Sequence, residues 1–309
     1  MDSPGSEETT SSNSVPKAED ASMITHTRAS FFSSYRRRQP FSLPDSIIHY
    51  IAMNPKTSEF YQKMSQSCKY FFIKNPILIV PRLSVTYFGE WNLRFNNKSV
   101  DFKNISSKIW ITCNIDVDND DNNGDDKYFS SNVVPYIYQC DIKELTLCYQ
   151  IISYNDFIFL ASKCEALWFW YGVTVVNEDD TGVPLEKLIE AAPKIKSMHV
   201  SLYYASSNII TPNTVHELLK IPHFFNLTHF FFYHLPEVFD IETFYAYIKK
   251  NKKTGIYLHF TDEISEDFKN RLRVIVKEIV QTKNHNYKVP RIEFSGMYMV
   301  EAEFIEFID

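Results

Sequence analysis

Glycine is scarce in this sequence. The chain of 309 residues holds seven glycines, and no two of them stand closer than ten positions apart. Phosphate-binding and hydrolase motifs such as GxGxxG, GxxxxGK[ST] and GxSxG place their glycines at much shorter spacings. The sequence therefore excludes the dinucleotide-binding, P-loop and nucleophile-elbow motifs.

Closely spaced cysteines and long apolar runs are also absent. The five cysteines are at least eight positions apart, so the chain has no CxxC motif for zinc or redox chemistry. The longest apolar run, residues 167–176, covers ten residues, whereas a membrane-spanning helix needs ~20. The odd cysteine count and the N-terminus without an apolar signal segment indicate a reducing compartment. We therefore expect a cytoplasmic or nuclear protein with no membrane partner.

The charge balance is slightly acidic. Thirty-two basic residues stand against 38 acidic ones, which gives a net charge of -6. An average surface of this sign repels nucleic acid, so binding to a duplex would need a local basic patch. We do not expect a nucleic acid partner. Hydrophobic residues make up 44% of the chain and aromatic residues 16%, which is typical of a globular protein with an unusually aromatic core.

Composition divides the chain into three parts. Residues 1–41 are rich in Ser and Thr and poor in apolar residues, which predicts a disordered tail. Its Arg36-Arg37-Arg38 segment is interpreted as a solvated linker, with a nuclear-import or phosphorylation element as the alternative. Residues 42–80 carry helical patterns, and residues 81–309 alternate between strand and helix patterns.

Two helices are predicted in the 42–80 segment. The first has Ser42 as its cap, Pro44 in its first turn and isoleucines at helical spacing, and it ends before Pro55. The second is capped by Ser58 and carries an apolar stripe as far as residue 72. Pro76 stops this helix, and residues 77–80 form a buried extended run.

A weak internal repeat of the form apolar-x-x-apolar-x-apolar follows. Its four copies are Ile142/Leu145/Leu147, Cys164/Leu167/Phe169, Ile195/Met198/Val200 and Leu227/Phe230/Phe232, and shorter versions occur at Ile109/Ile111, Ile256/Leu258/Phe260 and Ile292/Phe294. One predicted helix separates most neighbouring copies, and capping signals precede Val215, Phe244 and Phe268. Strands that alternate with helices pair in parallel. The pattern therefore predicts an α/β fold with a mainly parallel, curved sheet and outer helices, an irregular solenoid of the leucine-rich-repeat type; a doubly wound sheet is the alternative.

Two segments begin like metal-binding motifs but lack an essential ligand residue. The acidic segment around Gly124 has Ser130 where a calcium loop needs a bidentate glutamate. The His216-Glu217 pair is followed by Lys220 where a zinc-protease helix needs its second histidine. We therefore predict no metal, no cofactor and no enzymatic activity.

The strand residues between the repeat's apolar positions point to the opposite face of the predicted sheet. Large aromatic and histidine residues dominate there, and such residues are typical of protein-binding hot spots. We predict a client-binding surface made of Trp110, Trp168, Trp170, His199, Phe231, Tyr233, Tyr257 and His259. The alternative is that a loop, the tail or the helical segment covers this face, so that the rings belong to the core.

The 42–80 segment resembles an F-box. It opens with Leu43-Pro44, continues with Ile47, Ile51, Phe60 and Met64, and closes with the segment Gln66-Ser67-Cys68-Lys69-Tyr70-Phe71. Pro44 and Cys68 are 24 positions apart, which matches the length of the F-box pattern. With the Phe- and Tyr-rich repeats that follow to about residue 295, almost the whole folded chain is similar to the nematode F-box-like proteins with irregular leucine-rich repeats.

This resemblance implies a substrate adaptor of a cullin-RING ubiquitin ligase. In that family the F-box binds a Skp-type adaptor, which joins it to the cullin scaffold, and the repeats bind the client protein. The resemblance assigns Skp binding or F-box packing to Leu43, Pro44, Ile47, Ile51, Phe60 and Met64. Two other hypotheses stay open: a protein-binding scaffold without ligase coupling, and single-stranded nucleic acid binding through stacked aromatic rings.

Overall fold

The structure is a computed structural model that describes residues 41–85, 91–95, 98–117, 132–203 and 209–297. The predicted tail, apart from Phe41, lies outside the described residues, and so does most of the acidic segment around Gly124. The chain divides into two compact units, Met1–Asn75 and Pro76–Asp309. Each unit is described by itself below.

Helices form the described part of the first unit. Their bounds are Asp45–Met53 (α1), Ser58–Ser67 (α2) and Lys69–Lys74 (α3). The caps differ from the prediction: Pro44 occupies the cap position of α1, and the Thr57 side chain accepts the cap hydrogen bond of α2 from the Phe60 N–H. The predicted second helix is also two helices, because Cys68 adopts an extended conformation between α2 and α3.

Asn75 ties this helical unit together. Its side-chain amide donates to the carbonyl of Ala52 at 3.0 Å, and its own carbonyl accepts from the Tyr61 hydroxyl. Both Ala52 and Tyr61 are fully buried. The end of α3 is thereby joined to α1 and to α2 by partly buried hydrogen bonds, which favours a single arrangement of the three helices.

The second unit alternates strands and helices. Its strands are Ile77–Val85 (β1), Trp91–Phe95 (β2), Lys98–Asp101 (β3), Lys108–Val117 (β4), Ile137–Cys140 (β5), Glu144–Cys148 (β6), Ile151–Ser153 (β7), Ala166–Trp170 (β8), Thr174–Val176 (β9), Ser197–Ser201 (β10), His229–Leu235 (β11), Gly255–Phe260 (β12) and Arg291–Glu293 (β13). Its α-helices are Tyr154–Ala161 (α4), Leu185–Glu190 (α5), Thr214–Leu218 (α6), Ile241–Ile248 (α7) and Glu266–Gln281 (α8). The last two apolar residues of each full repeat copy lie on a strand, its first apolar residue precedes that strand, and β1 contains the predicted extended run at 77–80.

One extended sheet joins eleven of the described strands. Their order is β3-β2-β1-β4-β6-β8-β10-β11-β12-β13, with β5 beside β4, and β7 pairs with β9 in a separate small sheet. All pairs are parallel except β1 with β2 and β2 with β3. The mixed α/β class with a mainly parallel sheet is therefore confirmed. The antiparallel β1-β2-β3 segment was not predicted, because its sequence lacks the repeat.

Apolar residues from strands and helices meet on one face of the sheet. Leu145, Leu167 and Met198 stand in register on β6, β8 and β10 and are fully buried. Helices pack on this face through ring contacts such as Phe230 with Phe244, whose centroids are 5.6 Å apart. The core is therefore shared by every repeat, and each strand-helix unit buries its apolar side against its neighbours.

Side chains cap the longer helices as the sequence predicts. Asp240 accepts a hydrogen bond from the Thr243 N–H at 3.0 Å at the start of α7, and Ser265 accepts from the Phe268 N–H at 3.2 Å at the start of α8. These bonds satisfy backbone donors that the first helical turn leaves open. They fix the point at which the chain leaves each strand loop and enters the next helix.

Two tyrosines show the repeat at the level of backbone conformation. Tyr149 directly follows β6 and Tyr171 directly follows β8, and their φ angles are 54° and 45°. Their rings stack with centroids 5.6 Å apart and 17° between the planes. Because positive φ is uncommon for residues other than glycine, the shared conformation indicates that the two strand-helix units follow the same path.

No helix in the described ranges has the length and apolar character to cross a membrane.

Candidate protein-binding surfaces

The first candidate surface lies on α1 and the residues before it. Leu43 is 48% exposed, Ile47 46% and Tyr50 65%, although all three side chains are large and largely apolar. Ile47 and Tyr50 lie three positions apart and therefore on one side of the helix. The opposite side carries Ile48 and Ala52, which are buried. We call Leu43, Ile47 and Tyr50 the α1 surface.

The other residues that the F-box resemblance names have different environments. Pro44 is exposed next to the α1 surface, and Ile51 is half-buried. Phe60 is exposed on α2, whereas Met64 is buried inside the unit. Met64 therefore packs the helices together, while Leu43, Pro44, Ile47 and Phe60 are accessible. Tyr50 was not named from the sequence, because a tyrosine at that position does not belong to the apolar pattern.

The second candidate surface is the sheet face opposite the core. One row of residues crosses eight strands in register: Ser84, Asp116, Thr146, Trp168, His199, Phe231, Tyr257 and Arg291. Trp170, Tyr233 and His259 lie two positions further along their strands on the same face. The sheet thus brings seven of the eight residues predicted for client binding together, and we call these seven the aromatic face.

Ring contacts join the aromatic face into one layer. His199 contacts Trp168 on one side and Phe231 on the other, with ring centroids 3.7 Å and 4.7 Å apart. Tyr233 connects the two rows, because its ring lies 5.9 Å from that of Trp170 and 4.9 Å from that of Tyr257. All of these rings except His199 are half-buried. Neighbouring rings therefore cover one another and leave the outer edges accessible.

His199 is the most buried member of the aromatic face, with 7% of its surface exposed. Burial, reinforced by the nearby His229, lowers the pKa of His199 from 6.5 to about 4. The imidazole is therefore neutral at physiological pH, and its Nε2 atom lies 3.0 Å from the Ser197 hydroxyl. Because the His199 ring is neutral, it can stack on the Trp168 indole without placing an unpaired charge among half-buried rings.

Trp110 does not belong to the aromatic face, which differs from the prediction. It is fully buried, its ring lies 5.8 Å from that of Tyr138 on β5, and its indole Nε1 donates to Asp141 at 2.9 Å. The irregular pairing of β4 with both β1 and β5 changes which residues share a face. A client cannot reach this side chain, and its role is internal packing.

Asp141 is the acceptor at the centre of this cluster. Its carboxylate also accepts hydrogen bonds from Gln139 at 3.0 Å and from the Lys163 ammonium at 2.6 Å. Burial raises the pKa of Asp141, but the bonds donated by Lys163, Gln139 and Trp110 outweigh burial and hold it below its usual value. The ionised carboxylate therefore fixes the position of the Trp110 indole.

A bulge in β11 places a residue that sequence reasoning missed. The register between β11 and β12 shifts between Phe232 and Leu235, and His234 has a φ of 62°. Its ring lies 5.2 Å from that of His259 and 4.9 Å from that of Tyr203. A bulge re-aims a side chain, so His234 extends the aromatic face. Strict alternation along β11 cannot predict such a residue.

Two polar atoms of the aromatic face are buried without a hydrogen bond inside the described part of the chain. They are Nε1 of Trp168 and Nδ1 of His259. An unsatisfied buried donor costs about 1–3 kcal/mol. Native proteins satisfy most buried polar atoms, so this face carries two polar atoms that have no hydrogen-bond partner among the described residues.

The described ranges also contain buried thiols and a cavity. No group of three or more His, Cys, Asp or Glu residues is arranged to hold a metal ion there. Burial raises the pKa of the Cys140 and Cys164 thiols to about 12, which keeps both sulfurs protonated and unreactive. A cavity of about 470 Å³ lies between the start of α4 and the loop after β9, where it is lined by residues such as Tyr154 and Glu178.

Comparisons with protein-family models, with curated proteins and with solved structures find no match to this chain.

Proposed function

We propose that this protein is a substrate-recognition adaptor of a Skp-cullin-F-box ubiquitin ligase. In this proposal the first unit binds a Skp-type adaptor and the second unit binds a client protein. The observation that carries the proposal is the exposure of Leu43 and Ile47 on a helical unit whose sequence resembles an F-box. The proposed role is positioning: the adaptor raises the concentration of a client lysine near the conjugating enzyme.

The α1 surface supports the Skp-binding half of the proposal. A short helix in water normally turns its large apolar residues inward, yet Leu43, Ile47 and Tyr50 are about half exposed. Exposed apolar patches on soluble proteins are typical of partner surfaces. The buried residues Ile48 and Ala52 hold α1 in place, so the α1 surface is carried by an element that is packed on its other side.

The strand order supports a repeat architecture of the leucine-rich-repeat type. Within the large sheet the strands pair in chain order, β4, β6, β8, β10, β11, β12 and β13, with β5 beside β4. A doubly wound sheet has a point at which the strand order reverses, and the described strands have no such point between β4 and β13. Sequential pairing is what a solenoid requires, because each repeat contacts only its neighbours. We propose that the second unit is an irregular solenoid of this type.

The aromatic face supports the client-binding half. Its rings contact one another on the sheet face opposite the core, and none of them is a member of the described hydrophobic core: Trp168, Trp170, Phe231, Tyr233 and Tyr257. Tryptophan and tyrosine residues supply much of the binding energy at protein interfaces. A client with hydrogen-bond acceptors would also satisfy the Trp168 indole after a small movement of the rings.

The second candidate function is a protein-binding scaffold without ligase coupling. It uses the same aromatic face, but the α1 surface then has a partner other than a Skp-type adaptor. Neither function requires catalysis by this chain, and we propose that it is not an enzyme. Because both functions operate inside the cell, we propose a cytoplasmic or nuclear location.

Affinity purification of the full chain from its own cells, followed by mass spectrometry, tests the proposal. The expected result is co-purification of a Skp-type adaptor and a cullin together with client proteins. A variant with Pro44→Ala and Ile47→Asp should lose the adaptor and the cullin but keep the clients, because it leaves the second unit unchanged. Retention of the adaptor by this variant would contradict the proposal, and clients without any ligase component would favour the scaffold.

A further inference from the structure

Charge is segregated between the two ends of the parallel strands. In a parallel sheet all strand beginnings lie along one edge and all strand ends along the other. The segments that lead into β6, β8, β10, β11, β12 and β13 contain eleven lysines, all exposed: Lys143, Lys163, Lys194, Lys196, Lys220, Lys249, Lys250, Lys252, Lys253, Lys283 and Lys288. These segments contain two acidic residues, Asp141 and Glu165. We call these lysines the lysine edge.

The opposite edge has the reverse charge. The described residues that lead out of β6, β8, β10, β11 and β12 toward the next helix contain no Lys or Arg. Seven acidic residues lie there: Glu178, Asp179, Asp180, Glu237, Asp240, Asp262 and Glu263. The chain therefore has a basic edge although its net charge is -6. The repulsion of anions that the average charge predicts does not apply to this edge.

Ion pairs within the chain neutralise only part of the lysine edge. Lys163, Lys196 and Lys249 pair with carboxylates of other segments, and Lys220 pairs with Glu217 at the end of α6. Across the described residues no carboxylate pairs with the other seven lysines of the edge. Like charges that lie close together destabilise a fold. The seven lysines without an ion pair therefore need a reason other than stability.

Helix dipoles account for only some of these lysines. A cation stabilises a helix C-terminus when it lies within about one turn of it. Five lysines follow the C-terminus of an α-helix within two residues and satisfy this condition: Lys163, Lys220, Lys249, Lys250 and Lys283. Lys143 follows no α-helix closely, and Lys288 lies seven residues beyond α8. The remaining charge is therefore available to a ligand.

A shallow cavity lies within the lysine edge. Its volume is about 340 Å³, and its lining residues are Lys252, His285, Asn286, Tyr287 and Lys288, none of which is acidic. The His285 imidazole donates through Nε2 to the Ile279 carbonyl at 2.9 Å, which fixes the ring. Two ammonium groups beside one fixed imidazole form a site that suits a carboxylate or another compact anion.

We propose that the lysine edge binds an acidic segment of a client protein and that the cavity at Lys252 and Lys288 holds one of its anionic side chains. The edge crosses six neighbouring strands, which corresponds to about 24 Å and to an extended peptide of about seven residues. Charge complementarity supports this occupant. The inference rests on the client-binding half of the proposed function and adds the chemistry of the client.

The ring geometry disfavours nucleic acid as the occupant. A base that stacks on a protein needs a free ring face, but one face of Trp168 is covered by His199 at 3.7 Å with 15° between the planes. His199 in turn meets Phe231 edge to face. Trp168 and His199 therefore offer a base less free ring face than separate rings would, which favours side-chain contacts with a protein over base stacking.

Titration of the full chain with a fluorescent glutamate-rich peptide of about twelve residues tests the inference. We expect binding at ~50 mM salt that weakens at ~200 mM, and roughly tenfold weaker binding by a variant with Lys252→Gln and Lys288→Gln. The variant with Lys187→Gln and Arg271→Gln loses the same charge away from the edge and should bind like the wild type. Lys143→Gln with Lys194→Gln is a second edge variant, whose binding should weaken even if the first variant does not fold.

Three results would overturn the inference: no binding of the peptide at low salt, equal weakening by the edge and control variants, or tighter binding of a single-stranded RNA of about the same length. Binding of a Skp-type adaptor by the same preparation is measured in parallel. Loss of peptide binding with intact adaptor binding contradicts the inference alone. Loss of adaptor binding with intact peptide binding contradicts the ligase coupling alone.

Discussion

The imidazole of His199 lies flat against the indole of Trp168, with ring centroids 3.7 Å apart and 15° between the planes. The two residues stand in register on neighbouring parallel strands, which places their side chains at the closest lateral spacing that the sheet allows. This stack is the centre of the aromatic face, and it makes the properties of that face sensitive to the protonation state of one side chain.

Acid should destabilise the second unit through His199. The pKa is 6.5 in an exposed histidine and about 4 in the folded chain. Above pH 6.5 the ring is neutral in both states and has no effect. As the pH falls from 6.5 to 4, the unfolded chain binds a proton that the folded chain does not, so the free energy of unfolding decreases by at most about 3 kcal/mol.

Urea unfolding monitored by tryptophan fluorescence at several pH values tests this dependence. His199→Phe keeps a ring against Trp168 but cannot titrate, so its stability should change less between pH 6.5 and pH 4. The exposed His216 provides the control substitution, His216→Gln, which should leave the wild-type slope unchanged. Equal slopes for the wild type and His199→Phe would show that His199 is not the group responsible.

The hydrogen bond from Trp110 to Asp141 should contribute measurably to stability. Trp110→Phe keeps most of the buried ring but removes the donor at 2.9 Å. We expect a loss of about 1–3 kcal/mol, because the partly buried carboxylate of Asp141 loses a donor. The same substitution at the half-buried Trp170, whose indole donates no comparable bond within the described residues, should have a smaller effect. If both substitutions give the same loss in urea unfolding, the hydrogen bond has no special role.

The apolar side of α8 should be essential for the core. Leu272 is fully buried, and Leu272→Ala should lower the free energy of unfolding by about 2–5 kcal/mol through lost contacts and a cavity. Val274 lies on the same helix and is 68% exposed, so Val274→Ala should change stability by less than about 0.5 kcal/mol. Chemical denaturation of both variants measures the difference, and similar losses would mean that α8 is not packed as described.

Client binding should depend on Tyr233. Its ring contacts Trp170 and Tyr257 at the middle of the aromatic face, and truncation of a central aromatic residue typically weakens binding by 2 kcal/mol or more. Tyr233→Ala should therefore reduce client recovery in affinity purification at least about tenfold. Tyr136, which is exposed and does not belong to the aromatic face, gives the control variant Tyr136→Ala. Clients retained by Tyr233→Ala would place the binding surface elsewhere.

Local patterns predict the repeated part of this fold well. Alternation along β6, β8, β10, β11 and β12 identifies both the strands and their buried faces, because a strand with one apolar side must turn that side toward the core. The capping residues Asp240 and Ser265 mark the starts of α7 and α8 for a similarly local reason. These features need no information about distant parts of the chain.

Other features depend on tertiary pairing. Trp110 alternates like a surface residue, but β4 pairs irregularly with β1 and β5, and the side chain is buried. His234 reaches the aromatic face only because of the bulge in β11. The lysine edge could not be predicted from the net charge. Its lysines are spread over six segments of the sequence, and these segments lie side by side only in the parallel sheet.

The most direct test of the central claim is the affinity of the purified full chain for a purified Skp-type adaptor, measured by calorimetry. The account predicts a dissociation constant of about 1 μM or tighter for the wild type. The control variant His49→Asp changes an exposed residue on another side of α1, two positions from Ile47, and should bind equally well. The account predicts no measurable binding for the variant with Leu43→Asp and Ile47→Asp, whose unfolding transition should match the wild type. Absence of binding by the wild type, or equal binding by both variants, would contradict it.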